Sequence, residues 1–165
     1  MQSVQRPWEG EEGQKEGLNR SAEVIVKVVR EEAEVVGLER VIVGGMSQGC
    51  AMGIFALLTK DMKVGGFFGM CGWLPLADEI EKMMRDKGRT KAVLDMPVLL
   101  QHCRDDSVVP VENGLDLKER LEKMGMSVRW ECFDEGGHWL NEPEGMDGIV
   151  RFVREIMEKK ADAGS

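Results

Sequence analysis

The 165-residue sequence has no tyrosine, only two histidines, five prolines and four cysteines, and it is short of positive charge. Each shortage excludes something. Twenty-two basic against thirty acidic residues give a formal net charge of −8, whereas a phosphate-binding face needs clustered lysine and arginine that release counterions. Nucleic acid is therefore not an expected partner. No run of about 18 apolar residues occurs, so no transmembrane segment is expected. The start MQSVQRPWEGEEGQKEG is polar and acidic, unlike the positive start and apolar stretch of a secretory signal. The expectation is a soluble, cytoplasmic protein. Cys50, Cys71, Cys103 and Cys132 lie far apart without C-x-x-C pairing, which argues against zinc and disulfides and for buried, reduced thiols. Two histidines that are not at helical ligand spacing give metal catalysis no support. No cofactor is expected.

What is present is an alternation of strand-like and helix-like segments. Ser21 is expected to cap a helix running to Val36 after a Gly-rich surface turn at 11–19, with Gly37 ending it. In that helix Val24, Val28 and Val35 mark the apolar stripe, opposite Lys27, Arg30, Glu31 and Glu34. The run VIVG (41–44) predicts a strand covered on both faces, followed by a helix to about Lys60. GGFFGMCG (65–72), PVLLQH (97–102) and MSVRWECF (126–133) predict further strands. Helices are expected near Ala77 to Lys87, from Glu112 to Met124, and from Met146 to Lys160. Strands alternating with helices imply a mostly parallel sheet with helices on both sides, in a single α/β domain over residues 1–165.

The chemistry concentrates in VIVGGMSQGCAMG (41–53). With six serines and twenty glycines in the chain, G-x-S-x-G is expected about 0.09 times by chance. A serine on a sharp strand-to-helix turn is thrust above the carboxyl end of a parallel sheet, where ligands gather, and glycines at −2 and +2 remove side chains that would collide. The N–H groups of Gln48 and Gly49 then lie at a helix N-terminus suited to an oxyanion, Gln48 being the favoured donor. A serine nucleophile needs a base and an acid to orient it. His138, in the Gly-rich EGGHW after the last strand, is the favoured base. His102 ends a strand beside the acid pair Asp105-Asp106. Nucleophile, acid and histidine follow in the chain order of α/β-hydrolases. Two competing motifs fail. Gly44 to Gly49 has phosphate-loop spacing, but Cys50-Ala51 replaces the required Lys-Ser/Thr, and Met46 or Ser47 breaks a dinucleotide fingerprint in either register.

The segments GGMSQGCAMG, GWLPL, HCRDDSVVP and EGGHW, in that order, resemble the phospholipase/carboxylesterase family, which includes acyl-protein thioesterases, and particularly its fungal carboxylesterase-like members. The resemblance implies an α/β-hydrolase fold and a serine hydrolase acting on a small acyl ester, a lipid or an acylated protein. The family's acid is the fifth residue of H-G-x-x-D-x-x-V-P, which on His102 to Pro110 selects Asp106 over Asp105, although Cys103 stands where the pattern has glycine. The predicted triad is thus Ser47, Asp106 and His138. By the same resemblance Trp73, Leu74 and Trp139 border the acyl channel, and Met46 flanks the nucleophile. The family's H-G-x-G loop, which supplies a second oxyanion donor after an earlier strand, has no counterpart here, so the chain resembles a member lacking its N-terminal strands. Two expectations follow. Loss of one donor lowers turnover by about 10²–10³-fold, and VIVG becomes an open sheet edge that can pair with a second copy. The alternative reading is a catalytically impaired fragment that binds or dimerises.

Overall fold

The computed structural model describes residues 12–86 and 92–164. The elements run α1 (Glu12–Val36), β1 (Ile42–Met46), α2 (Gln48–Thr59), β2 (Gly66–Met70), α3 (Ala77–Asp86), β3 (Val98–Cys103), α4 (Val111–Lys123), β4 (Val128–Phe133) and α5 (Glu144–Ala163). The four strands are parallel and lie in chain order β1-β2-β3-β4. Every crossover therefore returns the chain to the same end of the sheet, and the residues that follow β1, β2, β3 and β4 share one rim.

Side-chain alternation splits the interior into two layers. On one face Val43, Phe67, Val98 and Leu100 join residues of α1 to α4, including Ala22, Val26, Ile54, Leu58, Ile80, Leu117 and Leu121. On the other, Ile42, Phe68, Met70 and Leu99 meet Ile149, Phe152 and Ile156 of α5. β3 is buried along its whole length, as a continuous apolar run in a covered parallel sheet should be. β1 is the opposite case. Among the described residues it pairs only with β2 and forms an edge.

Several boundaries differ from expectation. β1 extends through both glycines to Met46, and β2 is shorter than 65–72. Lys87, the expected end of α3, lies outside the described residues. α1 begins upstream of Ser21, which therefore sits inside the helix and caps nothing. The segment read as a surface turn is helical there because it has tertiary partners. Leu18 packs against the main core and Lys15 pairs with Glu79 of α3, so packing outweighs the cost of Gly17. The apolar stripe of α1 is also corrected. Ala22, Val26 and Val29 are buried, whereas Val24, Val28 and Val35 are 63%, 50% and 81% exposed. Valines occupy both faces, and the face carrying the small Ala22 meets α2. Gly37, at φ +87°, ends the helix as expected.

Candidate active site

Ser47 stands between β1 and α2 with φ 54° and ψ −119°. A non-glycine residue in this region carries roughly 1–3 kcal/mol of strain and persists only where its surroundings hold it. Here its N–H donates to Met70 C=O at 2.8 Å, continuing the β1–β2 ladder, and its own C=O accepts from Ala51 N–H at 3.1 Å. Ser47 occupies the N-cap position, yet its hydroxyl makes no capping bond. The serine side chain is thus not committed to the role that serine most often plays there. Gln48 and Gly49 open α2 ahead of its first internal hydrogen bond, with N–H groups at the positive end of the helix. The two motif glycines differ. A Cβ on Gly45 would collide with the Gly49 backbone and lie 2.6 Å from Cys50 N, whereas Gly49 has open space. Only the glycine at −2 is sterically required.

Asp106 lies in the loop after β3 and its side chain is fully buried. One carboxylate oxygen, Oδ1, accepts the N–H groups of Val108 and Val109, both at 2.9 Å. The other, Oδ2, is 2.8 Å from His138 Nδ1 and 3.3 Å from His102 Nε2. Burial alone pushes the carboxyl pKa up, but the hydrogen bonds from His138, Val109 and Val108 outweigh it and hold the group below its ordinary range. An ionised carboxylate only accepts, so His138 Nδ1 carries the hydrogen and Nε2 of the neutral ring is left with its lone pair. That is the tautomer a general base needs. His102 is buried and its Nε2 also faces Val109 C=O at 2.9 Å. With two acceptors before it, that nitrogen is the donor, and His102 Nδ1 is left buried without a partner. His102 therefore donates its hydrogen to Val109 C=O, with Asp106 Oδ2 only close by at 3.3 Å, and is not a base.

The loop between β4 and α5 carries His138 and is fastened at several points. Asn141 Nδ2 donates to Glu135 C=O at 3.0 Å, and the Cys71 and Cys103 thiols reach Trp139 C=O at 3.8 and 3.9 Å. Asp105 accepts from Gly137 N–H at 2.7 Å and Gly136 N–H at 3.2 Å. The acid pair is thus divided: Asp106 meets the imidazole, and Asp105 meets the peptide just before it. Cys71 follows β2 at φ 51° and joins the loops, since the preceding Met70 holds Ser47 and its own thiol reaches the histidine loop.

Of the expected substrate wall, Trp73 and Met46 are half-buried and Trp139 is 62% exposed. Leu74 is 5% exposed and packs in the main core. Val108, on the acid loop, is 66% exposed and was not expected from the sequence, because valine in a motif reads as packing. Cys71, His102 and Asp106 bring donor atoms within 4.8 Å of one another. The Cys71 thiol, however, is pushed up to about 12, first by burial and then by the Asp106 charge, and the facing atoms of His102 and Asp106 are engaged in hydrogen bonds. This donor set suits a hydrogen-bonded cluster better than a cation.

Comparison with known proteins agrees with this architecture. The chain is similar to acyl-protein thioesterase 1 of Gibberella zeae, 32% identical over 146 residues that cover 88% of this chain and 60% of the relative. It is also similar to acyl-protein thioesterase 1 of Candida albicans, 27% identical over 147 residues and 62% of the relative's length. It thus spans about three fifths of these relatives. The crystal structure of Zea mays acyl-protein thioesterase 2 superposes with a TM-score of 0.75 at 24% identity, covering 87% of this chain and 66% of that one. Since the phospholipase/carboxylesterase family model matches residues 5–157, the chain belongs to the phospholipase/carboxylesterase family.

Proposed function

We propose that this chain carries the catalytic machinery of a serine hydrolase for carboxylic esters or acyl thioesters. The observation that carries the reading is the 2.8 Å bond between buried Asp106 and His138, at the sheet rim that also bears Ser47 on its strained turn. Ser47 Oγ attacks the acyl carbonyl while His138 Nε2 takes its proton, and the Asp106 carboxylate stabilises the imidazolium. Gln48 N–H, at the start of α2, stabilises the oxyanion. Collapse of the tetrahedral species breaks the bond to the alkoxide or thiolate, which leaves with the proton from His138. Water, deprotonated by the same imidazole, then attacks the acyl-enzyme and releases the carboxylic acid.

The exposed Trp139 and Val108, with Met46 and Trp73, support an apolar acyl group. The names of the relatives support acylated proteins as substrates, and the family description supports lipid and small esters. Four unpaired cysteines fit a reducing compartment, in line with a cytoplasmic location. The bare edge of β1 supports pairing with a second copy, and sedimentation velocity showing only monomer at micromolar concentration would reject that pairing. The catalytic reading is tested with a fluorophosphonate probe and a short-chain nitrophenyl ester. Wild type is expected to be labelled and to turn over, and Ser47→Ala to do neither. Undiminished labelling of Ser47→Ala would remove Ser47 from the mechanism.

A further inference from the structure

The Asp105 carboxylate is solvent-exposed, yet both its oxygens are spent on the peptide N–H groups of Gly136 and Gly137. Those are the two residues immediately before His138. Gly136 and Gly137 have φ of +140° and +62°, and two successive N–H groups turned to one side form a concave anion site. Asp105 fills it. We propose that Asp105 is a positioning residue, whose carboxylate holds the Gly136-Gly137 turn so that His138 stays within reach of Asp106.

This inference rests on the hydrolase reading for its catalytic consequence, but its structural content stands apart from it. Apart from the Asp106–His138 bond itself and the exposed Arg104–Asp134 pair at the start of the loop, the other fastenings are weaker in kind. Cys71 and Cys103 reach Trp139 C=O through neutral thiols near the limit of sulfur hydrogen-bond distance, and Asn141 to Glu135 is a neutral amide bond that closes the loop base without touching the His138 side. Bonds to a carboxylate are charge-assisted and roughly twice as strong as neutral ones. The two glycines can follow many backbone paths, so an unheld turn spreads over many conformations. The carboxylate selects one. Asp105 also gathers negative charge close to Asp106, Asp134 and Glu135, and Arg104, which donates to Asp134 at 3.2 Å, offsets part of it. A surface carboxylate kept among like charges and bonded only to loop backbone is explained by the loop it orders. Since Asp105 and Asp106 are adjacent, one short segment after β3 fixes both the imidazole and the chain that bears it.

The test compares wild type, Asp105→Ala and Asp105→Asn in three readouts: amide hydrogen exchange at Gly136 and Gly137, the low-field NMR resonance of the His138 Nδ1 proton, and steady-state hydrolysis of a nitrophenyl ester. In Asp105→Ala, exchange at both glycines is expected to accelerate at least tenfold and the imidazole resonance to broaden, with kcat falling about tenfold or more at unchanged KM. Asp105→Asn, which keeps one acceptor oxygen, is expected to retain protection at one glycine and recover much of kcat. If the alanine variant does not fold, the asparagine variant carries the same three readouts. Wild-type exchange rates and an intact imidazole resonance in both variants would overturn the proposal, whatever happens to turnover. Altered exchange and resonance in the variants, alongside a wild type that hydrolyses nothing, would uphold it and reject the hydrolase reading instead.

Discussion

Replacing Asp106 by asparagine exchanges one oxygen for an NH2 group, and the structure dictates what that does. In the orientation that keeps Oδ1 as acceptor for Val108 and Val109, the new NH2 faces His138 Nδ1. It cannot accept from it. His138 can keep a hydrogen bond only by becoming the acceptor at Nδ1, which moves its hydrogen to Nε2, so the nitrogen needed to receive the Ser47 proton is blocked. The opposite orientation restores the imidazole contact but turns the NH2 on the Val108 and Val109 peptide donors, of which the buried Val109 N–H alone costs about 1–3 kcal/mol when unmet. A wrong histidine tautomer in a triad lowers kcat by roughly 10⁴, equivalent to about 5.4 kcal/mol of barrier. Expected for Asp106→Asn, then, is a loss near four orders of magnitude in nitrophenyl ester turnover, with slow fluorophosphonate labelling of Ser47. Asp105→Asn, which leaves the imidazole contact untouched, should stay far more active. A loss of less than tenfold at position 106, or a larger loss at 105 than at 106, would refute the assignment of the two acids.

Further perturbations probe the elbow, the acid and the core. Gly45→Ala drives a Cβ into the start of α2 and is expected to lower the unfolding free energy measured by urea titration by about 1–3 kcal/mol, the scale of forced overpacking. Gly49→Ala meets open space inside the helix and is expected to raise stability by about 0.5–1 kcal/mol. The Asp106 carboxyl is held below its ordinary range, so between its folded value and the unfolded value of about 3.9 the unfolded chain binds more protons and stability rises with pH. The contribution is complete above the unfolded value and disappears as pH falls through the folded one. Urea unfolding from pH 5 to 2 should therefore be less steeply pH-dependent in Asp106→Asn. Phe67→Ala empties a fully buried position on β2 and should cost about 3–5 kcal/mol, measured by the same titration.

The sequence announces the sheet because burial on both faces leaves continuous apolar runs, and β3 is legible for that reason. It announces the serine because Gly45 has no steric alternative. It does not announce the inward face of α1: valines lie on both sides, and only contact with α2 distinguishes Val26 from Val28. The upstream extent of that helix was hidden likewise, since Leu18 and Lys15 find partners distant in sequence. Motif spacing selects Asp106 over its neighbour, but it gives no task to Asp105. Their roles depend on how the loops after β3 and β4 cross, a matter of register between parallel strands. The exposed Val108 is hidden for a similar reason, because its neighbour Val109 is buried and the two read alike.

The parallel pairing of β4 on β3 has a consequence for a chain leaving the ribosome. Ser47 and its strained turn need only β1, β2 and α2, whereas His138 is translated some ninety residues later and meets Asp106 only once the last strand docks. On the proposed hydrolase reading, a nascent chain therefore shows its serine before the partner that would activate it is in place.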